Sequence, residues 1–139
     1  MNYVIDANVL ISMLITSKAS YYTLTKAFRF YAPTYALQEI DEYQSVIFEK
    51  SRLQATEVRD FARRLFPSLR IVPSFAIDPD NQRRAEQLIQ DIDPKDQAYV
   101  ALALQTEAVL LSRDKPLVDG IRKQGFRQAI MFDQFLREL

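Results

Sequence analysis

The sequence predicts an α/β fold in which a parallel sheet is flanked by helices. Short apolar segments of strand length alternate with longer segments of helical pattern along the chain, an order typical of repeated βα units. The chain has only two glycines, no internal repeat and no Gly/Ser linker, a composition that favours a compact, helix-rich protein. With 139 residues and 48% hydrophobic content, we expect a single domain over residues 1–139 with a substantial core.

The first half of the chain predicts two strands separated by helices. Its predicted elements are, in order, a strand at residues 2–6, two short helices within residues 7–29 with a break near residues 16–20, and a strand at residues 30–32. Pro33 fits the first position of a following helix, whose apolar residues recur at spacings of three and four as far as Ile47. We therefore expect one helix over residues 33–47, with Glu39 in its second turn.

The second half of the chain alternates helices and strands in the same way. Its predicted elements are a helix at residues 53–65, a strand at 69–72, a helix at 78–91, a helix following Asp93, a strand at 108–111, a helix at 115–123, a strand at 129–132 and a terminal helix from Asp133. Asp93 fits an N-cap, Pro94 the first helical position and Asp96 the third. The helix that follows is apolar almost all round from Ala98 to Leu104, which predicts a central, buried helix.

The absence of two residue types limits the chemistry open to the chain. Without cysteine, disulfides, thiolate zinc sites and thiol nucleophiles are excluded, and without histidine, imidazole bases are excluded as well. A bound metal ion must then be held by oxygen atoms, which favours Mg²⁺, Mn²⁺ or Ca²⁺ over zinc or copper.

The distribution of apolar and charged residues bears on location and partners. No apolar run reaches the roughly 18 residues that a membrane span needs, and the chain opens on a strand-like segment instead of a signal sequence, so we expect a cytoplasmic protein. The net charge of zero and the pI near 6.3 provide no overall basic field, so a nucleic-acid partner would have to be bound through a local patch such as Arg59, Arg63 and Arg64. Such clusters are more often solvated helix faces.

Four acidic residues stand at the edges of apolar segments: Asp6, Glu39, Asp96 and Asp114. Asp6 follows the first strand and Asp114 follows a later one, and in open α/β sheets the crevice outside the carboxyl ends of the strands binds ligands. Asp96 shares a helix face with Val100 and Ala103, a face expected to point into the protein, where a carboxylate needs a partner.

Each of the four acids also has a simpler interpretation when taken singly. Asp6 and Asp114 could merely cap the helices that follow them. Glu39 could be an exposed surface residue, and Asp96 could only interact with its helix dipole. Gathered at one crevice, however, four carboxylates would repel one another unless a divalent cation neutralised them. The set as a whole predicts a metal site, and bound Mg²⁺ or Mn²⁺ would suit hydrolysis of a phosphodiester.

Three segments that carry acidic residues follow one another in a distinctive order and spacing. They are residues 3–11 (YVIDANVLI), 96–103 (DQAYVALA) and 111–115 (LSRDK), with Glu39 in the helix between the first two. In this order they resemble the PIN-domain nucleases, particularly the VapC-like toxins of bacterial and archaeal toxin–antitoxin pairs. The resemblance spans nearly the whole chain and implies a PIN-like three-layer α/β/α fold and a metal-dependent endoribonuclease.

The resemblance also implies roles for the four acids. Asp6 and Asp96 are expected to be the principal ligands of Mg²⁺ or Mn²⁺. Glu39 and Asp114 are expected to be further ligands, directly or through water, and Glu39 to help orient the attacking water. All four are thus both candidate metal ligands and candidate catalytic residues at the carboxyl edge of the sheet.

Four other polar residues are candidates for a place near this site. Asn8 and Ser112 match positions that the resemblance implies to be polar helpers, which position the acids or water. Asp93 and Asp119 are candidates for extra acids, although capping and helix-surface roles are the favoured interpretation for both.

The resemblance implies three partners: RNA as the substrate, a cognate antitoxin whose tail would occupy the acidic groove, and a second copy of the chain in a homodimer. The aromatic stretches at residues 21–22 and 28–31 could serve the dimer. Aromatic residues at such spacing are more often part of the core, which is the favoured interpretation.

Two other functional classes remain open at this stage. In a haloacid-dehalogenase-like phosphatase, Asp6 would be a covalent nucleophile. Such sites require a second aspartate two residues later, where this chain has Asn8. Alternatively, the chain could be a catalytically silent binding module with a PIN fold. The presence of all four acids argues against that alternative.

Overall fold

A parallel sheet of five strands forms the centre of the molecule. The computed structural model describes residues 1–139, and its strands are β1 (Asn2–Ile5), β2 (Arg29–Pro33), β3 (Arg70–Val72), β4 (Val109–Ser112) and β5 (Ala129–Met131). Across the sheet the order is β3-β2-β1-β4-β5, and each neighbouring pair is parallel. The predicted α/β fold with a central parallel sheet is confirmed.

Nine α-helices flank the sheet. They are α1 (Ala7–Thr16), α2 (Ala19–Ala27), α3 (Thr34–Glu42), α4 (Gln44–Lys50), α5 (Ala55–Leu65), α6 (Pro79–Leu88), α7 (Gln97–Thr106), α8 (Lys115–Lys123) and α9 (Phe132–Arg137). The chain reverses its direction across the sheet after β3, so right-handed crossovers place α1 to α5 on one face and α6 to α8 on the other. The result is the expected three-layer α/β/α arrangement. None of the helices is long and apolar enough to cross a bilayer.

The two strands at the centre of the sheet are apolar on both faces. Val4 and Ile5 of β1 and Leu110 and Leu111 of β4 are fully buried, as expected for a parallel sheet covered by helices on both sides. They belong to a core cluster of 36 buried side chains. Because these strands are held firmly in the core, the polar residues that follow each of them have a well-defined position at the edge of the sheet.

The predicted break between the first two helices is confirmed. α1 ends at Thr16, and Ser17 adopts a left-handed conformation (φ 48°), with its N–H donating to the Met13 carbonyl at 2.7 Å. A left-handed residue of this kind ends a helix by satisfying a carbonyl of the last turn. α2 then begins at Ala19.

The predicted helix over residues 33–47 is wrong in its start and in its continuity. Pro33 is the last residue of β2, with extended backbone (φ −74°, ψ 157°), and α3 begins one residue later. Tyr43 (φ −101°, ψ 8°) leaves the helical conformation and separates α3 from α4. The apolar spacing continues across the break because Ile40 and Ile47 are both buried in the core.

The buried central helix that the sequence predicts is α7. Its residues from Tyr99 to Ala103 are all buried, and the helix contacts β1, β2 and β4. Helix α6 packs against α7 from the outside. The predicted α6 is too long at its C-terminal end, since the helix ends at Leu88.

The start of α7 also differs from the prediction. Asp96 is the last residue of a 3-10 turn, Pro94–Asp96, and not the third residue of the α-helix, which begins at Gln97. Asp93 caps this turn by accepting a hydrogen bond from the Lys95 N–H at 3.0 Å. A side chain that accepts a hydrogen bond from the N–H two residues ahead favours a 3-10 turn over the first turn of an α-helix. Asp96 therefore lies just before the first residue of α7.

The aromatic residues near the second strand belong to the core. Tyr3, Phe28, Phe30 and Phe135 form a cluster whose ring centroids lie 4.9 to 6.4 Å apart, and Phe30 is only 1% exposed. Tyr21 is half-buried and packs against the same core. The core interpretation of these aromatic residues is confirmed.

The basic residues of α5 lie at the surface. Arg63 forms an ion pair with Asp60 of the same helix at 3.0 Å. Arg64 lies over the ring of Tyr22, with 5.9 Å between the guanidinium carbon and the ring centroid, and Arg59 stands over an aromatic ring in a similar way. These contacts support the interpretation of the cluster as a solvated helix face.

Candidate metal centre

Asp6 stands at the junction of β1 and α1 and is buried, with 5% of its surface exposed. Its Oδ1 accepts a hydrogen bond from the Val9 N–H at 3.0 Å, which caps α1. Its Oδ2 accepts a hydrogen bond from the Ser112 hydroxyl. The capping role that the sequence left open is therefore present, but it involves only one of the two carboxylate oxygens.

Ser112 connects the ends of two neighbouring strands. It is the last residue of β4 and fully buried, and its Oγ donates to Asp6 while accepting a hydrogen bond from the Asp114 N–H at 3.0 Å. Ile5 is aligned with Leu111 in the sheet, so the residues that follow β1 and β4 emerge side by side. Ser112 is thus placed to position Asp6, as the resemblance implies.

Asp114 is the N-cap of α8. Its Oδ1 accepts a hydrogen bond from the Leu117 N–H at 3.2 Å, and the side chain is half-buried. Together with Asp91, Asp93 and Asp96 it lines a groove of about 520 Å³. We call this the acidic groove. Capping uses one carboxylate oxygen of Asp114 and leaves the other for a ligand, whereas at Asp6 the second oxygen already accepts from Ser112.

Asp96 carries an unusual atom. Its Oδ2 is buried and is the only buried side-chain nitrogen or oxygen in the protein without a hydrogen-bond partner. Burial is the main cause that raises the pKa of Asp96, to about 7, and four neighbouring charges raise it further, those of Asp114, Asp93, Asp6 and Glu39. A buried polar atom without a partner costs about 1–3 kcal/mol and calls for an explanation such as an ion.

Glu39 is held by a tyrosine to which the sequence assigned no role. The Tyr99 hydroxyl donates a hydrogen bond to Glu39 Oε1, and Tyr99 itself is buried. Burial and the bond to Glu39 raise the pKa of Tyr99 far above its ordinary value, so the hydroxyl keeps its proton and remains a donor. The sequence does contain a signal for Tyr99: it lies three residues after Asp96 and therefore near it on the same side of the chain.

The four acids share one electrostatic environment. Burial raises the pKa of Asp6 to about 6 against the opposing effect of hydrogen bonds from Ser112 and Val9, and the charges of Asp114 and Glu39 raise it further. However, no three acidic side chains approach closely enough to form a complete metal cage. The structure therefore brings the acids within range of each other's charge without assembling them at ligand distances.

The other predicted polar residues lie at the surface. Asn8 is exposed in the first turn of α1, and its helper role stays a prediction. Asp93 caps its turn and pairs with Lys95 Nζ at 3.4 Å, and Asp119 pairs with Lys115 Nζ at 2.8 Å. The capping and helix-surface interpretations of the two aspartates are confirmed.

The donor set suits a hard divalent cation. All candidate ligands are carboxylate oxygens, which Mg²⁺ and Mn²⁺ prefer. A cation would give the unpartnered Oδ2 of Asp96 a partner and offset the burial and, after it, the repulsion that raise the pKa values of Asp6 and Asp96. The residues present therefore fit a metal ion.

A family model described as the PIN domain matches residues 4–131. The chain belongs to the PIN-domain family. The match includes all four acids and, apart from Tyr3, all residues of the three motifs that carry the resemblance, and it removes the phosphatase alternative. PIN domains are generally nucleases, although some members are inactive.

Solved structures of other proteins share this fold. PAE2754 from Pyrobaculum aerophilum has a TM-score of 0.70 at 17% identity, over 99% of this chain and 88% of that one. VapBC2 from Rickettsia felis, in a structure with a DNA fragment from its promoter, has a TM-score of 0.61 at 15% identity, over 94% of this chain and 97% of that one. The PilT N-terminus domain protein SSO1118 from Sulfolobus solfataricus has a TM-score of 0.52 at 16% identity, over 99% and 92%. No protein with a curated description matches the chain.

The unpartnered carboxylate of this PIN domain has a consequence for stability. We expect Asp96→Asn to stabilise the metal-free protein at pH 8 by about 1–3 kcal/mol, because it removes a half-buried carboxylate charge that burial and the neighbouring acids disfavour. The folded-state pKa values of Asp6 and Asp96, about 6 and about 7, lie above the ordinary value of 3.8. The folded state then binds more protons than the unfolded state between about pH 4 and pH 7, so stability falls as pH rises through this window.

Urea denaturation in EDTA at several pH values measures this effect. The gain from Asp96→Asn should be largest at pH 8 and shrink toward pH 4, where the wild-type carboxyl is protonated. Asp60→Asn is the matched control, because its side chain is 68% exposed and paired only with Arg63. An Asp96→Asn protein that is less stable than the wild type at pH 8 would contradict the expectation.

Proposed function

We propose that this PIN domain is a metal-dependent endoribonuclease that hydrolyses RNA phosphodiester bonds at Asp6, Glu39, Asp96 and Asp114, and that it is the toxin of a type II toxin–antitoxin pair. The observation that carries the proposal is the buried, unpartnered Oδ2 of Asp96 beside three other acids. A protein that maintains such an atom needs a ligand for it, and a divalent cation is the ligand that this donor set accepts.

Asp6 and Asp96 would hold the Mg²⁺ or Mn²⁺ ion, with Glu39 and Asp114 as further ligands, directly or through water. When bound, the ion would lower the pKa of water and stabilise the negative charge that builds on the phosphate. Ser112 keeps Asp6 in one orientation, which reduces the reorganisation needed on binding.

Glu39 is suited to orient the attacking water. One of its oxygens is occupied by the Tyr99 hydroxyl, so its other oxygen is left to accept a hydrogen bond from water. Because Tyr99 is buried and retains its proton, Glu39 keeps this geometry across the neutral pH range. Tyr99 is thus proposed as a positioning residue that acts through Glu39.

The toxin role is supported by the fold that the chain shares with VapBC2 of Rickettsia felis and by the motifs of residues 3–11, 96–103 and 111–115. The partners proposed on this basis are RNA, a cognate antitoxin and a second copy of the chain. The proposal places the protein in the cytoplasm, where its substrate and antitoxin are made.

A silent PIN-fold binding module is the second candidate. The observation that favours it is that no three acids stand at ligand distances from a common point. Metal binding separates the two candidates, since a silent module has no use for the ion.

The test is cleavage of a mixed RNA pool by the purified protein in Mg²⁺, Mn²⁺ or EDTA. We expect cleavage in Mg²⁺ or Mn²⁺ and none in EDTA. We also expect Mn²⁺ to raise the melting temperature, since a ligand at about 100 times its Kd stabilises a protein by about 2.7 kcal/mol. Cleavage that persists in EDTA would indicate a contaminating ribonuclease, and a folded, antitoxin-free protein that neither cuts RNA nor responds to Mn²⁺ would favour the silent module.

A further inference from the structure

A second groove lies on the other side of the turn that carries Asp96. It measures about 720 Å³ and is lined by residues from α3, from α6 and from the segment around the start of α7, a size within the usual range for small-molecule sites. The two grooves share the Asp93–Gln97 segment: Asp93 and Asp96 line the acidic groove, whereas Pro94, Lys95 and Gln97 line the second. The second groove therefore begins within a residue of the candidate metal centre.

The second groove differs from the acidic groove in its charge. None of its lining residues is acidic, and Lys95 is its one charged residue. The acidic groove has four aspartates and a single lysine. A polyanion passing the metal centre is repelled by the acidic groove wherever no cation screens it, and it meets less repulsion in the second groove, because the acids whose charges act on Tyr35, namely Glu39, Glu42 and Asp93, lie outside its lining.

The lining of the second groove is rich in primary amides. Three glutamines contribute to it, Gln38, Gln82 and Gln97. Gln97 is held in place because its Nε2 donates to the Gln82 carbonyl at 3.2 Å, which leaves its Oε1 as an acceptor. The side-chain amides of Gln38 and Gln82 form no hydrogen bond within the protein, so donors and acceptors are available side by side, the combination that reads the edge of a nucleobase.

Aromatic residues complete the second groove. Tyr35 lines it and packs edge-on against Tyr99, with ring centroids 6.3 Å apart, which links the groove to the residue that holds Glu39. Phe75 follows Ser74, another lining residue, and its side chain is 89% exposed, the highest value among the large hydrophobic residues. Phe75 does not line the groove itself, but an exposed aromatic ring one residue along the chain from a lining residue is suited to stack on an unpaired base.

We propose that the second groove binds an unpaired nucleobase of the RNA, next to the phosphate positioned at the metal centre. The glutamine amides read the edge of the base, Phe75 stacks on its face, and Lys95 contacts the adjoining phosphate. This inference rests on the proposed function and extends it, because it assigns the choice of a single-stranded target to Gln38, Gln82 and Phe75. A duplex cannot use the groove, because its base edges are already paired and its base faces already stacked.

The chain has no tryptophan, so Phe75→Trp introduces a single fluorescent reporter one residue along the chain from Ser74, which lines the second groove. In EDTA, where cleavage is not required, we expect at least one of the short oligo(A), oligo(C) and oligo(U) strands to quench its emission, and a duplex of equal length to leave it unchanged. Leu139→Trp is the matched control: it is 61% exposed and follows Glu138, whose charge acts on Tyr3 at the opposite end of β1. Quenching of both reporters alike, or of neither, would overturn the proposal.

The amides are tested separately. Gln38→Ala and Gln82→Ala should each weaken binding of the quenching strand to the Phe75→Trp protein by about tenfold, the value of one good amide contact to a base. In an active enzyme the same variants should raise KM by a similar factor and change kcat little. Unchanged affinity and KM in both variants would overturn the assignment.

These readouts distinguish this inference from the proposed function. Quenching by single strands in a protein that never cuts RNA would leave the groove assignment standing and overturn the nuclease. Metal-dependent cleavage by a protein whose Phe75→Trp emission is unchanged by every strand would support the nuclease and overturn the groove assignment.

Discussion

Asp96→Asn should lower the rate of metal-dependent RNA cleavage by at least about 100-fold, since even residues that only support metal ligands contribute about 10- to 100-fold. Asp96 is a proposed principal ligand, and its buried Oδ2 has no other partner in the protein. An asparagine keeps the size of the side chain but brings no negative charge to the cation. Initial rates of cleavage in saturating Mn²⁺ measure the effect.

The same substitution is expected to stabilise the metal-free protein, so lost activity cannot be attributed to unfolding. Asp119→Asn is the control for removing one aspartate from the same end of the molecule, because Asp119 is at the surface of α8 and paired with Lys115. Its cleavage rate should match that of the wild type. Full cleavage activity of the Asp96→Asn protein in Mn²⁺ would contradict the metal-site proposal.

Phe30→Ala should lower the free energy of unfolding by about 3–5 kcal/mol, the usual cost of truncating a buried phenylalanine. Phe30 lies in β2, is 1% exposed, and packs against Tyr3, Phe28 and Phe135 with centroid distances of 5.8, 6.4 and 6.3 Å. A cavity there removes contacts in the strand next to β1, close to the centre of the sheet. Urea denaturation of the variant and the wild type gives the difference directly.

The control for this prediction is Phe75→Ala. Its side chain is 89% exposed, so the expected change in stability is within about 0.5 kcal/mol. The pair also addresses the homodimer, because aromatic residues near Phe30 were candidates for its interface. A Phe30→Ala protein that keeps its stability but changes its oligomeric state would show that the residue serves an interface and not the core.

Much of the fold and of the site follows from local sequence pattern. The order of strands and helices can be predicted because the buried strands are continuous apolar segments and the helices have apolar residues at regular spacing. Asp6 and Asp114 were found because each follows such a strand, and parallel strands present their carboxyl ends at one edge. The spacing of Asp96, Val100 and Ala103 correctly indicated an acid on the side of the chain that faces the core.

The contacts that orient the acids could not be predicted in this way. Ser112 bonds to Asp6 across 106 residues of chain, and Tyr99 bonds to Glu39 across 60, so both bonds depend on how the helices and strands pack. The break at Tyr43 was missed because apolar spacing continues through it, and the turn before α7 was missed because Asp93 and Pro94 fit the start of an α-helix equally well. Local pattern reports which residues face the core, but not where a helix changes its hydrogen bonding.

The pairing of β1 with β4 also determines when the site can form during synthesis. The first strand of the chain is completed at Ile5, yet β4, one of its two neighbours in the sheet, begins at Val109, and Asp114 comes later still. At about 5–20 residues per second, a nascent chain carries Asp6 for several seconds before the rest of the acids exist. An incomplete chain on the ribosome therefore lacks the assembled site, so the proposed nuclease would be unable to cut the RNA around it until nearly all of its residues have been made.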